Sequence, residues 1–397
     1  MRSRSTLAKL LVVLVTIGLG LAGAEIAVRV REPVPPDALL PFPMHHAELA
    51  RLQAGDTYIR FDPELGWSQR PGIRTMDDGI EFSTNGAGFR ASREYEVSPP
   101  DGVTRVAAFG DSFVHCDEVA YPDCWTARLE AAWSGSEVLN FGIPAGAPDQ
   151  GLLRYRRDAR ALRPCVVLIG FQVENVNRVV NRFRPFYASR TGLALSKPRF
   201  VLDGAGLRLV PNPAVSVDQL DDPVWVEQNL GPNDYWYFPG MFVPGPLDSL
   251  MVARLARTAQ YRQYRSTLEG PVTEERPNGT AYQPDDERFQ VAGRLLTLFA
   301  REVQADGATP VVVFFGQKSE VVTVRHRDPK EYQPLLDWME AEEIPVIDVT
   351  NDLAREANRS GVDSLFARGG HYNRRGNQSV GASLAERLPK LSPESCP

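Results

Sequence analysis

The sequence is poor in the residues that bind transition metals. It has five histidines and four cysteines in 397 residues. There is no CxxC, and no His or Cys pair falls at ligand spacing, so neither a metal centre nor a cofactor is expected. A basic excess is also missing. Lys and Arg total 44 against 50 Asp and Glu, for a net charge of −6 and a pI near 5.6, which excludes nucleic acid as a partner because the electrostatic footprint is absent. No internal repeat or low-complexity tract occurs, and Gly110 with the glycines of IPAGAP does not form a phosphate-binding fingerprint. The balance of 43% hydrophobic and 24% charged residues rules out a disordered chain and a multi-span membrane protein.

What is present begins with Arg2, Arg4 and Lys9 ahead of an unbroken apolar run from Leu10 to Ala24, the pattern of an export signal. Two outcomes fit. Ala22-Gly23-Ala24 suits cleavage and secretion, whereas these basic flanks, with Arg29 and Arg31 beyond, suit an uncleaved anchor with its N-terminus inside. The anchor is preferred, because one small-residue match in an Ala/Gly-rich run is easily met by chance. The expected organisation is a signal-anchor or signal peptide over 1–31, a Pro-rich linker over 32–54, a β/loop extension over 55–102, and a main domain over 103–391 with an insertion at about 183–286. The domain is expected outside the cytoplasm, tied to the membrane by its N-terminal segment, or secreted after cleavage near Ala24. Export permits disulfides. Cys116 and Cys124 can bridge or remain unpaired, Cys165 reads as a buried free thiol at the start of an apolar strand, and Cys396 lies in a polar tail.

The runs VTRVAAFG, EVLNFG, CVVLIGF, TPVVVFFG and IPVIDV read as buried parallel strands. WTARLEAAW, QGLLRYRRDARAL, ERFQVAGRLLTLFAREVQA, EYQPLLDWMEAEE and GNQSVGASLAERL alternate with or follow them as helices. That alternation predicts an α/β fold with a parallel sheet covered on both faces. Such sheets carry their reactive groups at the carboxyl ends of the strands. The insertion, with its aromatic DYWYFPGMF, reads as a wall or lid of that site.

Chemistry-bearing residues sit at those strand ends. Ser112 follows the first strand in GDSF, where a strand-to-helix turn exposes its hydroxyl near free backbone N–H groups. Gly142 ends the second strand and presents a backbone N–H without a side chain. Asn175 follows the third and offers a neutral amide donor. Far downstream, His371 in GGHYN precedes the terminal helix and suits the role of general base to the serine. His115 reads as pocket lining rather than a proton acceptor. His45, His46 and His326 read as solvated.

The segments AAFGDSF, NFGIPAG, IGFQVEN and GGHYN resemble, in order, the conserved blocks of the GDSL/SGNH hydrolase superfamily. The stretches DPELGWSQRPG and TNGAGFR resemble a membrane-anchored bacterial subset of it. The resemblance implies a three-layer α/β/α flavodoxin-like fold, Ser112 as nucleophile, His371 as base, and an oxyanion hole from the Ser112 amide, Gly142 and Asn175. It also implies ester chemistry on an acylated small molecule or polysaccharide. Two positions depart from the family pattern. Val176 follows Asn175 where Asp is usual, and Arg368 stands where the acid three residues before the histidine belongs. Asp363, Asp348 or a backbone carbonyl could orient His371 instead. Three functions are therefore expected in order: an extracytoplasmic serine esterase, a polysaccharide O-acyltransferase, and a degenerate hydrolase acting as an anchored carbohydrate-binding or assembly component.

Overall fold

The computed structural model describes residues 2–31, 45–55, 57–189, 191–273 and 277–393, without the side chains of residues 2–5 and 7. The five apolar runs form one sheet from β1 Thr104–Phe109, β2 Ser136–Asn140, β3 Val166–Phe171, β4 Thr309–Phe314 and β5 Val346–Asp348. Their order is β5-β4-β3-β1-β2, all parallel. Alternate residues of the same strands feed two apolar clusters. Ala107, Phe109, Val167, Ile169 and Phe314 face one, while Val106, Ala108, Val166, Leu168 and Val313 face the other. Helices Pro148–Arg154, Glu287–Ala305 and Gln333–Ala341 cover the first face. Trp125–Ala132, Thr350–Ser360 and Arg374–Leu391 cover the second. The fold is the three-layer α/β/α arrangement expected, in the flavodoxin-like strand order. From β1 the chain steps outward to β2 on one side and then crosses to β3 on the other. This reversal opens a crevice at the carboxyl ends of β1 and β3.

The N-terminal helix Arg2–Arg31 contains a segment, Ala8–Arg31, long and apolar enough to cross a membrane, and none of that segment's apolar window is buried. Of the expected linker, residues 32–44 lie outside the described residues, and the rest is not linker: His46–Ala54 is a helix that buries Leu49 and Leu52. The extension then forms two antiparallel hairpins, Ile59–Asp62 with Gly66–Gln69 and Arg74–Asp77 with Ile80–Ser83. The insertion contributes a hairpin, Arg199–Asp203 with Gly206–Val210, and a long helix, Met251–Glu269. Its aromatic stretch is core: Trp236, Met241 and Phe242 are buried in the first cluster.

Cys116 and Cys124 are joined, with their Cα atoms 5.6 Å apart. The expectation of a free thiol at Cys165 is corrected, since it is disulfide-bonded. Cys396 lies outside the described residues.

Candidate active site

The loop after β1 places the serine. Asp111 caps the short helix Ser112–His115 by accepting the Phe113 N–H at 2.9 Å through Oδ1. Its other oxygen accepts from Gln172 Nε2 at 3.0 Å, Asn175 Nδ2 at 2.9 Å and Arg178 Nη1 at 3.3 Å. The carboxylate of GDSF thus ties the β1 loop to the β3 loop, and being buried it needs those donors. Ser112 is 5% exposed. Its Oγ lies 2.8 Å from His371 Nε2, although 259 residues separate them in sequence. Phe113 packs its ring 5.0 Å from the imidazole.

The other side of the imidazole differs from expectation. Asp363 is largely exposed and pairs with Lys318, and Asp348 pairs with Lys330 and accepts the Thr350 N–H. Neither orients His371, because each is held by partners elsewhere. Arg368 is exposed. The carboxylate beside the histidine is Glu118, which no local pattern in the sequence marks. Glu118 Oε2 accepts the His371 backbone N–H at 3.2 Å and stands 3.9 Å from Nδ1, a buried nitrogen with no hydrogen-bond partner. Gly369 makes room for it, since a β-carbon there would overlap Glu118 Oε1.

Three groups were expected to donate to an oxyanion. The Ser112 N–H has no acceptor among the described residues. Asn175 is buried and uses one amide hydrogen on Asp111, the residue before Ser112, leaving the second. Gly142 is corrected in part. Its N–H donates to Asn140 Oδ1 at 3.0 Å, so it is occupied in this state. Asn140 is in turn held through Nδ2 by Val114 O at 2.7 Å and Thr126 Oγ1 at 3.2 Å. Gly142 still needs to be glycine, because a β-carbon would overlap the His115 backbone nitrogen.

His115 lines the cavity, as expected, but is fully buried. Its Nδ1 contacts Asp117 Oδ1 at 2.5 Å and its Nε2 contacts Tyr58 OH at 2.9 Å. Burial, with the Arg90 charge beside it, pushes the imidazole down to about 4, although the Asp117 hydrogen bond pulls the other way. It is therefore neutral near pH 7 and structurally engaged. His46 and His326 are exposed, whereas His45 is half-buried against Glu48 at 3.3 Å.

A cavity of about 500 Å³ opens beside His371. Leu52, Ile59, Phe82, Pro144 and Leu193 supply apolar wall, and Glu48, Asp77, Asp117 and Glu118 supply carboxylates against the cation of Arg51. The extension and the insertion therefore build this space. The stretches DPELGW and TNGAGFR explain how. Asp62 accepts the N–H groups of Glu64 and Leu65 at 3.1 Å, Trp67 Nε1 donates to Pro144 O at 2.9 Å, and Gln69 Nε2 donates to Gly142 O at 2.5 Å. Arg90 donates to the carbonyls of His115 at 2.7 Å, Cys116 at 2.8 Å, and Val119. Both motifs are struts for the loops after β1 and β2. Among the described residues no cluster of side chains could hold a metal ion.

No family model matches the sequence, and no curated protein matches it. Solved structures similar to it include the lipase/acylhydrolase from Enterococcus faecalis, at 13% identity over 74% of this chain and 100% of that one, with a TM-score of 0.35. A member of the lipolytic protein G-D-S-L family from Veillonella parvula shows 13% identity over 73% and 100%, with a TM-score of 0.33. An acetylxylan esterase from Geobacillus stearothermophilus shows 11% identity over 71% and 93%, with a TM-score of 0.36.

Proposed function

We propose that the protein is a serine esterase, anchored by its N-terminal helix with the catalytic domain outside the cytoplasm, that cleaves O-acyl esters such as acetyl groups on carbohydrate. The observation that carries this reading is the 2.8 Å contact between Ser112 Oγ and His371 Nε2 at the crevice where the strand order reverses. With its proton on Nδ1, His371 takes the Ser112 proton through Nε2 as Oγ attacks the ester carbonyl. The Ser112 N–H and the second amide hydrogen of Asn175 hold the oxyanion. His371 then passes its proton to the leaving alcohol, and water repeats the sequence on the acyl-serine. Glu118 acts through His371 as a positioning residue. A movement of about 1 Å brings its carboxylate to hydrogen-bonding range of Nδ1–H, where it fixes the tautomer and balances the imidazolium charge.

The degenerate, binding-only reading rested on the missing acid at Arg368, and Glu118 beside His371 supports the enzyme reading over it. The carboxylates around the cavity favour a neutral acylated sugar over an acidic one, by like-charge repulsion. Incubation with p-nitrophenyl acetate and a fluorophosphonate probe tests the proposal: turnover and labelling are expected, both lost in Ser112→Ala. Labelling that persists in that variant, or none in the wild type, overturns it. An acyl donor supplied with and without an oligosaccharide then reads whether water or a sugar hydroxyl receives the acyl group.

A further inference from the structure

The N-terminal helix is bonded to the insertion. Glu25 Oε1 accepts the Met251 N–H and Oε2 the Val252 N–H, each at 3.0 Å. These are the opening N–H groups of helix Met251–Glu269, whose own cap residue, Leu250, supplies no side-chain acceptor. Arg29 donates to Ser249 O at 2.8 Å and to Glu25 Oε1 at 2.7 Å. Residues 249–252 are therefore fixed level with residues 25–29 of the first helix.

That level has a physical meaning if the helix spans a bilayer. Counting from Lys9 at 1.5 Å per residue, Glu25 stands about 24 Å along the axis and Arg29 about 30 Å, the depth at which the hydrocarbon ends. A carboxylate there is costly unless paired and hydrogen-bonded, and Glu25 has both Arg29 and two N–H donors. At the same level the insertion turns apolar side chains outward: Leu247 is 63% exposed, Leu250 43% and Leu255 41%. Among their polar neighbours, Asp248 is engaged by the Arg257 guanidinium and the Gly245 N–H, and its carbonyl accepts from Arg254 Nε. Exposed apolar side chains flanked by arginines suit the boundary between lipid headgroups and acyl chains.

We infer that segment 247–255 docks into the outer lipid interface of the bilayer that the N-terminal helix spans, giving the catalytic domain a second membrane contact. The inference rests on the proposed anchoring of that helix. Glu25 and Arg29 are the clasp that sets the depth of the segment, and the leucines are what enters the lipid.

The test uses the full chain in lipid nanodiscs, carrying one NBD-labelled cysteine at position 247, 250 or 255, with doxyl-labelled lipid as quencher and the unsubstituted chain as labelling background. Val30, exposed on the first helix, and Val215, exposed elsewhere on the domain, serve as references. Labels at 247, 250 and 255 should be quenched by shallow doxyl lipid to at least half the extent seen at Val30, with no quenching at Val215. Glu25→Ala should weaken the quenching at 250 and leave that at Val30. Quenching at Val30 without any at 247 and 250 overturns the docking and leaves the anchor standing. No quenching at Val30 overturns both.

Discussion

His371 Nδ1 is buried, has no hydrogen-bond partner, and faces the Glu118 carboxylate at 3.9 Å. A carboxylate at that distance still stabilises an imidazolium in a partly buried site. Glu118→Gln should lower kcat by roughly 10²-fold with KM little changed, less than the ~10⁴ associated with a fully bonded triad acid. Asp363→Asn should leave both constants within about twofold, as expected of an exposed residue away from the chemistry. Gly369→Ala should reproduce the Glu118→Gln loss by displacing the carboxylate, and the two changes combined should cost little more than either. Steady-state kinetics on the variants check all of these. Ser112 and His371 could be singled out from the sequence less by the GDSF triplet than because NFGIPAG, IGFQVEN and GGHYN follow it in order with further candidate groups, GGHYN just ahead of a terminal helix. Glu118 could not, since DEVAYPD belongs to none of those segments and has no periodicity pointing it anywhere. Asn140 was half visible, two residues ahead of the Gly142 whose N–H it accepts.

The element that presents Glu118 is the loop closed by the Cys116–Cys124 disulfide. This clasp holds Asp117 against His115 and Glu118 against His371, while Arg90 grips its carbonyls. Replacing both cysteines with serine should cost about 2–3 kcal/mol of stability, from the chain entropy of so short a closed loop. It should also lower kcat, and that second loss should vanish in a Glu118→Gln background, because there is no carboxylate left to misplace. Denaturant titration and kinetics separate the two effects. The insertion was legible as a wall of the site, and its Leu193 does line the cavity, whereas the extension was legible only as β/loop elements. Their hairpins are short, and what makes them functional is contact with loops far away in sequence, such as Trp67 with Pro144.

The three-layer fold was legible because a parallel sheet buried on both faces leaves continuous apolar runs, and each of the five did become a strand. What such runs do not carry is the charge buried around them. His115 is held neutral, its imidazole down at about 4 against an ordinary 6.5, with Tyr58, Asp117, Arg90 and Arg154 around it. An unfolded chain takes up that proton as pH falls through 6.5, whereas the folded chain resists until about 4. The stability this provides is complete above pH 6.5 and is lost as pH drops to about 4. The loss amounts to about 3 kcal/mol. Urea midpoints measured from pH 7 to pH 4 should fall steeply, and His115→Gln should flatten that slope while lowering the midpoint at pH 7.

Ser112 and His371 meet across 259 residues of sequence, and this spacing imposes an order in time. A chain leaving the ribosome exposes its serine, its proposed oxyanion donors and the hairpins of its cavity long before its proposed base has been made. On the proposed mechanism, Ser112 stays an ordinary alcohol until the GGHYN segment emerges and folds back.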